Sequence, residues 1–296
     1  MITVFGTVCI DRIYRVPRLP DVGGYVEVES ELTVLGGEAA NTAAALKKWG
    51  ADVKLIANPV GCDDDGKMLL ALLDNAGLPS KGKIWGNRTP VCDIFVTPDG
   101  ERTMIGRGFS SMDGADIDLG ELGAGEWFTA EPNMAKTARE SVKKAQAAGM
   151  KTYLMDFIRD EDSEIISKCD VWQSSTDWAG KRGSAKENLD FVRNHTNKFG
   201  CISILTDGDN GIYLAEMNQE PKHLAAVQAE TVVDVTGAGD IFRAGMLYGL
   251  DEEWSLLKCA ALAAAAGALE CRGLGAIAAI PDLDEVVHLM ESAKYE

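Results

Sequence analysis

Short β-rich runs alternate with amphipathic helical runs along most of this chain, and a glycine often marks the change. Ile2–Val8 reads as a first strand. Ala39–Trp49 carries apolar residues at helical spacing and stops at Gly50, a suitable C′ residue. Val53–Ala57 reads as a strand and Met68–Asn75 as a helix ending near Gly77. Met134–Ala148 is a helix closed by Gly149, then Thr152–Phe157 a strand, Leu189–His195 a helix and Ile202–Thr206 a strand. Repeated β-then-α units predict a parallel sheet with helices on both faces. Two stretches break the rhythm. Ile13–Leu35 holds Pro17, Pro20, Gly23 and Gly24, then an alternating run from Tyr25 to Val34. Arg88–Gly106 holds Val91–Val96, a Pro98-Asp-Gly turn and Arg102–Ile105. Both predict short antiparallel strands. The expected organisation is one α/β domain over residues 1–296, with a small β subdomain from about residues 12–35 and 88–107. Such a flap suits an enzyme that must exclude water; decorative hairpins are the plainer alternative.

Charge narrows the partners. The 296 residues carry 29 Lys+Arg against 46 Asp+Glu, a formal charge of −17. A nucleic-acid partner is not expected, since a phosphate backbone wants a basic stripe, nor is an anionic membrane surface. A small phosphate ligand remains compatible, because backbone N–H groups and a metal can hold it. The seven cysteines are scattered without a C-x-x-C pair, which points to a reducing cytoplasm. The opening Met-Ile-Thr-Val-Phe-Gly lacks a basic n-region, so no signal peptide is expected. The apolar run Cys259–Leu269 is too short to span a bilayer and reads as a buried helix.

Four motifs carry chemistry. Gly61-Cys-Asp-Asp-Asp-Gly66-Lys67-Met68 nearly spells a P-loop, but Met68 lacks the Mg²⁺-binding hydroxyl and three aspartates repel phosphate. A turn feeding a helix with acids at its N-terminal end accounts for it better. Asp234-Val-Thr236-Gly237-Ala238-Gly239-Asp240 follows the β-rich Thr231–Val233 and opens a helix, with Thr236 suited to the N-cap. Small residues there let backbone N–H groups approach an anion, and Asp240 in the first turn stands where a base would be needed. The plainer reading of Asp240 is a dipole complement. Gly36-Gly37-Glu-Ala-Ala-Asn41 opens another helix, with Asn41 able to read sugar hydroxyls or to be an ordinary first-turn residue. Thr206-Asp-Gly208-Asp-Asn-Gly211 joins the strands Ile202–Thr206 and Ile212–Leu214 as a hairpin turn whose threonine and glycines could also touch a nucleotide.

Taken together, these residues resemble the ribokinase-like sugar kinases, the PfkB family. Asp234-Val-Thr-Gly-Ala-Gly-Asp240 with Ala244-Gly245 is similar to the family's C-terminal signature. Gly36-Gly37-x-x-x-Asn41 is similar to its N-terminal signature, and Gly61-x-Asp63-x-x-Gly66 to a further family pattern. Asp11 stands where the family's first strand delivers a sugar-binding aspartate. The resemblance runs from about residue 2 to about residue 282. It implies a Rossmann-like three-layer α/β sandwich with a β-strand lid, and transfer of the ATP γ-phosphoryl group to a hydroxymethyl of a sugar or nucleoside. By position, Asp240 would be the base and the N–H groups of Gly237, Ala238 and Gly239 the anion hole. Asp11, Gly36, Gly37 and Asn41 would hold the acceptor. Thr206, Gly208, Gly211, Thr236, Gly237, Gly239 and the region around Ala268–Ala276 would line the ATP site.

The sequence departs from the family at two places. Cys9-Ile-Asp11 replaces the frequent Asn-x-Asp. The central Asn-x-x-Glu, tied to Mg²⁺, is replaced within Gln173-Ser-Ser-Thr-Asp177, where Ser174 and Asp177 keep the spacing and Asp177 is the candidate for organising the metal. Arg107, after the second lid segment, either faces the acceptor, which would suit an acidic or phosphorylated sugar, or is a surface residue. The expected activity is an ATP- and Mg²⁺-dependent kinase of a small carbohydrate: a ketose, aldose or sugar acid. The alternatives are a nucleoside kinase, for which only Tyr14, Tyr25 and Phe95 offer a base clamp in the lid, and a degenerate sugar- or nucleotide-binding relative. An oxidoreductase is disfavoured because Phe5-Gly-Thr-Val-Cys9 lacks G-x-G-x-x-G. A homodimer through Val26, Val28, Leu32 and Val34 of the lid is a further expectation.

Overall fold

The computed structural model describes residues 1–78, 85–86, 88–112, 117–180, 183–228 and 231–293. In chain order its strands are β1 (Ile2–Gly6), β2 (Cys9–Arg15), β3 (Ser30–Gly36), β4 (Val53–Ala57), β5 (Val60–Gly61), β6 (Trp85–Gly86), β7 (Val91–Val96) and β8 (Arg102–Arg107). They continue with β9 (Trp127–Ala130), β10 (Lys151–Met155), β11 (Val171–Ser175), β12 (Ile202–Thr206), β13 (Ile212–Ala215) and β14 (Lys222–Leu224). The α-helices are α1 (Glu38–Lys48), α2 (Asp64–Asn75), α3 (Ala135–Ala147), α4 (Ser163–Ile166), α5 (Ala185–Phe199), α6 (Ala238–Asp251), α7 (Leu256–Glu270) and α8 (Leu283–Ser292).

Eight strands form the main sheet in the order β14-β13-β12-β11-β10-β9-β1-β4. Six of them, β4 through β12 in that row, run parallel, and β13 and β14 turn back antiparallel at one edge. Side chains alternate across the sheet, so neighbouring residues feed different cores. Val4 packs with α1, α6, α7 and α8 on one face. Phe5 packs with Phe128, Leu154, Trp172 and residues of α3 and α4 on the other. The three layers match the expected ribokinase-like sandwich. Helix α7 is alanine-rich and buried nearly all round. Its close approach to α6 requires glycine: a Cβ at Gly245 would meet Ala263 Cα at 2.6 Å, and one at Gly249 would meet Cys259 Sγ at 2.8 Å.

The two irregular segments do meet. They build a second sheet of four strands, β3-β2-β7-β8. It is not wholly antiparallel as the turns suggest, because β2 and β7 pair parallel while the two hairpins pair antiparallel. The expected strand from Tyr25 is also shorter: pairing begins only at Ser30. Leu32 and Val34 pack inward with Ile13, Cys92, Ile94 and Val96, whereas Val26 and Val28 precede the strand. Of the four residues expected to form a dimerising face, only Leu32 and Val34 therefore belong to a strand, and they share its inward side.

Candidate active site

The parallel strands end on a common edge, and that is where an open α/β sheet presents functional residues. Glu131 follows β9, Asp156 follows β10, Ser174 lies in the last turn of β11 and Thr206 ends β12. The N-termini of α1 and α6 meet above this edge. Asn41 Nδ2 donates to Asp240 Oδ2 at 2.8 Å, and Thr42 Oγ1 donates to the Asp240 carbonyl at 3.2 Å. Contacts across about 200 residues of sequence thus join the two glycine motifs.

Gly237, not Thr236, is the N-cap of α6, and no side-chain cap bond is made there. Its φ of 93° is left-handed, and a Cβ would strike Ala276 Cβ at 2.2 Å. Asp234 sets this turn. Its two carboxylate oxygens accept from the N–H groups of Thr236 and Gly275, each at 2.9 Å. Asp234 is thus a clamp holding the turn to the 275 loop, and Thr231–Val233 before it is not in a sheet. In the first turn, Ala238 N–H reaches the Val235 carbonyl at 3.4 Å and Asp240 N–H the Gly237 carbonyl at 2.8 Å. Gly239 N–H has no such acceptor among the described residues. A Cβ at Gly239 would meet nothing within 4 Å. An unpaired N–H opening on free space at a helix N-terminus is suited to an anion.

Asp240 is buried, and burial is the main reason its carboxyl is pushed up to about 7. Arg243 and the Asn41 bond pull it back, while Glu131 and Asp156 add to the rise. That places it near the value that suits a general base at neutral pH. Burial and Glu131 also hold Glu38 well above the ordinary carboxylate value. Asp156, with Ser174 Oγ donating to it at 2.6 Å, is pushed up to about 6 by burial. Glu131 is locked by the N–H groups of Thr7 and Asn133. The acids at 38, 131 and 156 and the arginine at 243 were not anticipated from the sequence.

Asp11 is brought to the same region. Its carboxyl is buried beneath the lid sheet, accepts from Cys9 Sγ at 3.2 Å and is pushed up to about 6 by burial, with Asp234 adding to the rise. Gly36 lies directly beneath it: a Cβ there would sit 2.0 Å from Asp11 Oδ2. Gly37, at φ 100°, is the N-cap of α1, and a Cβ would meet the Thr7 carbonyl at 2.4 Å. The lid closes against the same loops, since a Cβ at Gly275 would meet Ile13 Cδ1 at 2.6 Å and one at Gly100 would meet Val232 Cγ1 at 3.2 Å. Among the described residues, the buried side-chain atoms near these motifs that have no partner include Asn41 Oδ1, Thr236 Oγ1 and Glu38 Oε2. Orphans of this kind are costly unless a bound molecule satisfies them.

The remaining predicted residues separate. Gly208 (φ 50°) starts a short 3₁₀ turn after β12, and at Gly211 (φ 94°) a Cβ would lie 2.1 Å from the Leu224 carbonyl oxygen. Thr206 ends β12, with its hydroxyl 3.5 Å from the Ser174 carbonyl. Ala268 is half-buried in the last turn of α7, next to Gly267, which faces the Ala238 carbonyl. Arg107 pairs with Asp93 at 2.9 Å and Asp65 at 3.5 Å. Strand register puts it with Val91 and Ile10, on the lid face opposite Asp11 and Cys92. Its charge therefore ties the lid to α2 together with Arg12, which reaches Asp65 at 2.7 Å. Tyr14 and Phe95 stack on each other on that same outer face, so they do not clamp a base beside Asp11. The near P-loop is a capped helix start: Asp63 accepts from Gly66 N–H at 2.8 Å and from Thr89 Oγ1 at 2.5 Å. Asp177 is exposed after β11. Among the described residues, no group of three or more His, Cys, Asp or Glu side chains is arranged to hold a metal.

Residues 1–283 match the pfkB family carbohydrate kinases. An "uncharacterized sugar kinase" of Dictyostelium discoideum is 31% identical over 340 aligned positions, covering 96% of each chain. A nucleoside kinase of Methanocaldococcus jannaschii is 25% identical, covering 98% of this chain and 96% of its own. The structure of Arabidopsis thaliana ribokinase complexed with ribose and ATP superposes with a TM-score of 0.77 at 21% identity, covering 100% of this chain and 99% of that one. The chain belongs to the PfkB family, and it is a phosphotransferase of the sugar-kinase type. No helix among the described residues is long and apolar enough to cross a membrane.

Proposed function

We propose that this protein transfers the γ-phosphoryl group of ATP to a hydroxymethyl group of a small carbohydrate, with Asp240 as general base. The observation that carries this is the pairing of a buried carboxylate, gripped by Asn41 at 2.8 Å, with the open N–H of Gly239 one residue away. The base takes the acceptor proton, and the turn Gly237-Ala238-Gly239 meets the charge of the moving phosphoryl group. Asp11 and Asn41 hold acceptor hydroxyls, with Asn41 Oδ1 the unfilled acceptor, and Gly36 and Gly37 leave room for them. Thr206, Gly208, Gly211, Thr236 and the backbone near Ala268 line the nucleotide side. That a ribokinase of this fold has been solved with ribose and ATP supports the pairing of a sugar with ATP.

Magnesium supplies charge neutralisation when it is bound with the nucleotide, which usually leaves the protein to contribute one or two carboxylates; Asp177 is our candidate. Arg107 is left out of the acceptor pocket because its charge lies across the lid sheet from Asp11. That Tyr14 and Phe95 lie on the lid face opposite Asp11 supports a sugar over a nucleoside.

An ATP-consumption screen over ketoses, aldoses, sugar acids, sugar phosphates and nucleosides, with Mg²⁺ varied, tests the reading. Turnover of a nucleoside alone would replace it with the nucleoside-kinase alternative, and silence across the panel would favour the non-catalytic one. Asp240→Asn is expected to reduce turnover at least 10²-fold while ATP binding by calorimetry is retained; full activity in that variant would remove the base assignment.

A further inference from the structure

Arg243 is the side chain in this site that neither the motifs nor the phosphoryl-transfer scheme uses. It lies three residues after Asp240, on the same face of α6, and its side chain is fully buried. Its Nε donates to Thr42 Oγ1 at 2.9 Å, and its Nη2 donates to the Glu38 carbonyl at 2.7 Å. The same Nη2 stands 3.6 Å from Asp240 Oδ1, and Nη1 has no partner. A buried guanidinium is expensive unless neighbouring charge compensates it, and here that charge is unusually dense. Glu38 faces it from α1, Asp240 from its own helix, and Asp156 from the end of β10. Glu131, after β9, presses on the same carboxyls, and the Tyr153 hydroxyl of β10 also feels the guanidinium.

We propose that Arg243 is a positioning residue for phosphoryl transfer: without touching substrate, it keeps Asp240 ionised and aimed, against the repulsion of Glu38, Glu131 and Asp156. The inference rests on the reading of Asp240 as the base. Thr42 and the Glu38 carbonyl fix the guanidinium to α1, so its third contact, to Asp240 Oδ1, is set by the α1–α6 packing rather than by a flexible side chain. Asn41 holds Oδ2 from the same helix. The carboxylate is therefore approached at both oxygens, by Asn41 from the first turn of α1 and by Arg243 from the second turn of α6, with the positive charge on one side. Arg243 is the largest influence opposing the burial that raises Asp240.

The test uses the full-length enzyme with the acceptor found by the panel, in the variants Arg243→Gln, Arg243→Lys, Thr42→Val and Asp240→Asn. In Arg243→Gln the acid limb of kcat/KM against pH is expected to move up by about one unit, a tenfold loss at any fixed pH below it, with the KM for ATP unchanged. Arg243→Lys keeps the charge without the fork, so its acid limb stays close to wild type while kcat falls about tenfold. Thr42→Val, which removes the hydroxyl accepting from Nε, gives a smaller shift in the same direction and covers the case in which Arg243→Gln does not fold. A second readout needs no acceptor. Thermal melting from pH 5 to pH 9 should show Arg243→Gln losing more stability with rising pH than wild type, and Asp240→Asn added to it removing that excess and leaving a loss no greater than wild type's. A wild-type acid limb in Arg243→Gln and in Thr42→Val, with no recovery in the double variant, would overturn the proposal. Full turnover by Asp240→Asn would instead remove the base, and the melting cycle would still report whether Arg243 holds that carboxylate.

Discussion

Replacing Gly36 by alanine adds one methyl group and tests the acceptor side of the site without changing any polar residue. The backbone tolerates it, because Gly36 is not among the glycines with positive φ. The whole effect comes from collision. The new Cβ would lie 2.0 Å from Asp11 Oδ2, 2.1 Å from Cγ and 2.3 Å from Oδ1. Non-bonded contact needs about 3.5 Å, so the carboxyl has to retreat by roughly 1.2–1.5 Å. It is buried and tied to the Cys9 thiol, and cannot simply turn into water. Misplacement by about 1 Å costs on the order of 10²-fold in rate, or about 2.7 kcal/mol. Overpacking of the site adds about 1–3 kcal/mol of lost stability. Steady-state kinetics should show kcat/KM for the acceptor down about 10²-fold with the KM for ATP unchanged, and melting should show a fall of a few degrees. Asp11→Ala should give a similar loss, and the double variant little more than either alone, since both remove one contact. A Gly36→Ala enzyme with wild-type acceptor kinetics and a lowered melting temperature would refute the idea that Asp11, in this position, holds the acceptor.

Two further expectations concern charge. Glu270 is fully buried with neither carboxylate oxygen partnered, and burial pushes it up to about 9. It binds a proton in the folded chain that the unfolded chain releases near its ordinary value of about 4.3, so its contribution is fully present below that pH and is lost as pH rises toward 9; Glu270→Gln should therefore raise the melting temperature at pH 8 by more than at pH 5, and an equal or opposite change would count against it. Lys67→Ala should leave the KM for ATP unchanged, because Lys67 is exposed and paired with Asp64 at 2.8 Å rather than set in a phosphate loop; a tenfold rise would reinstate the P-loop.

Legibility in the sequence followed the range of the interactions. Helix α1, the strands Val53–Ala57 and Ile202–Thr206, and the buried α7 were readable because their signals are local: periodicity, a terminal glycine, an unbroken apolar run. Strand β9 was not foreseen although it lies in the middle of the sheet. Its four residues, Trp127-Phe-Thr-Ala, are buried on both faces and show no alternation. The Gly237-Ala238-Gly239 turn was readable as a motif, but its cap was not. Thr236 has the residue type of an N-cap, yet the clamp from Asp234 to Gly275 holds the turn so that Gly237 takes that position. The face on which Arg107 lies was not readable, because strand register, which decides it, depends on a partner strand. Glu131, Asp156 and Arg243 are each unremarkable in sequence, and only their convergence gives them meaning.

The bond between Asn41 and Asp240 spans 199 positions of sequence, and the turn between them is braced by Ala276 and Gly275. Closing a loop of that length is entropically costly and contributes to a high contact order. A nascent chain on the ribosome therefore cannot join its two glycine motifs until Asp240 has been made. The strands of the main sheet can pair while synthesis continues, but Asn41 must wait for Asp240, which lies beyond the last of them. A premature stop between Leu224 and Asp240 would leave a fragment with every described strand and without the bond that joins the two glycine motifs.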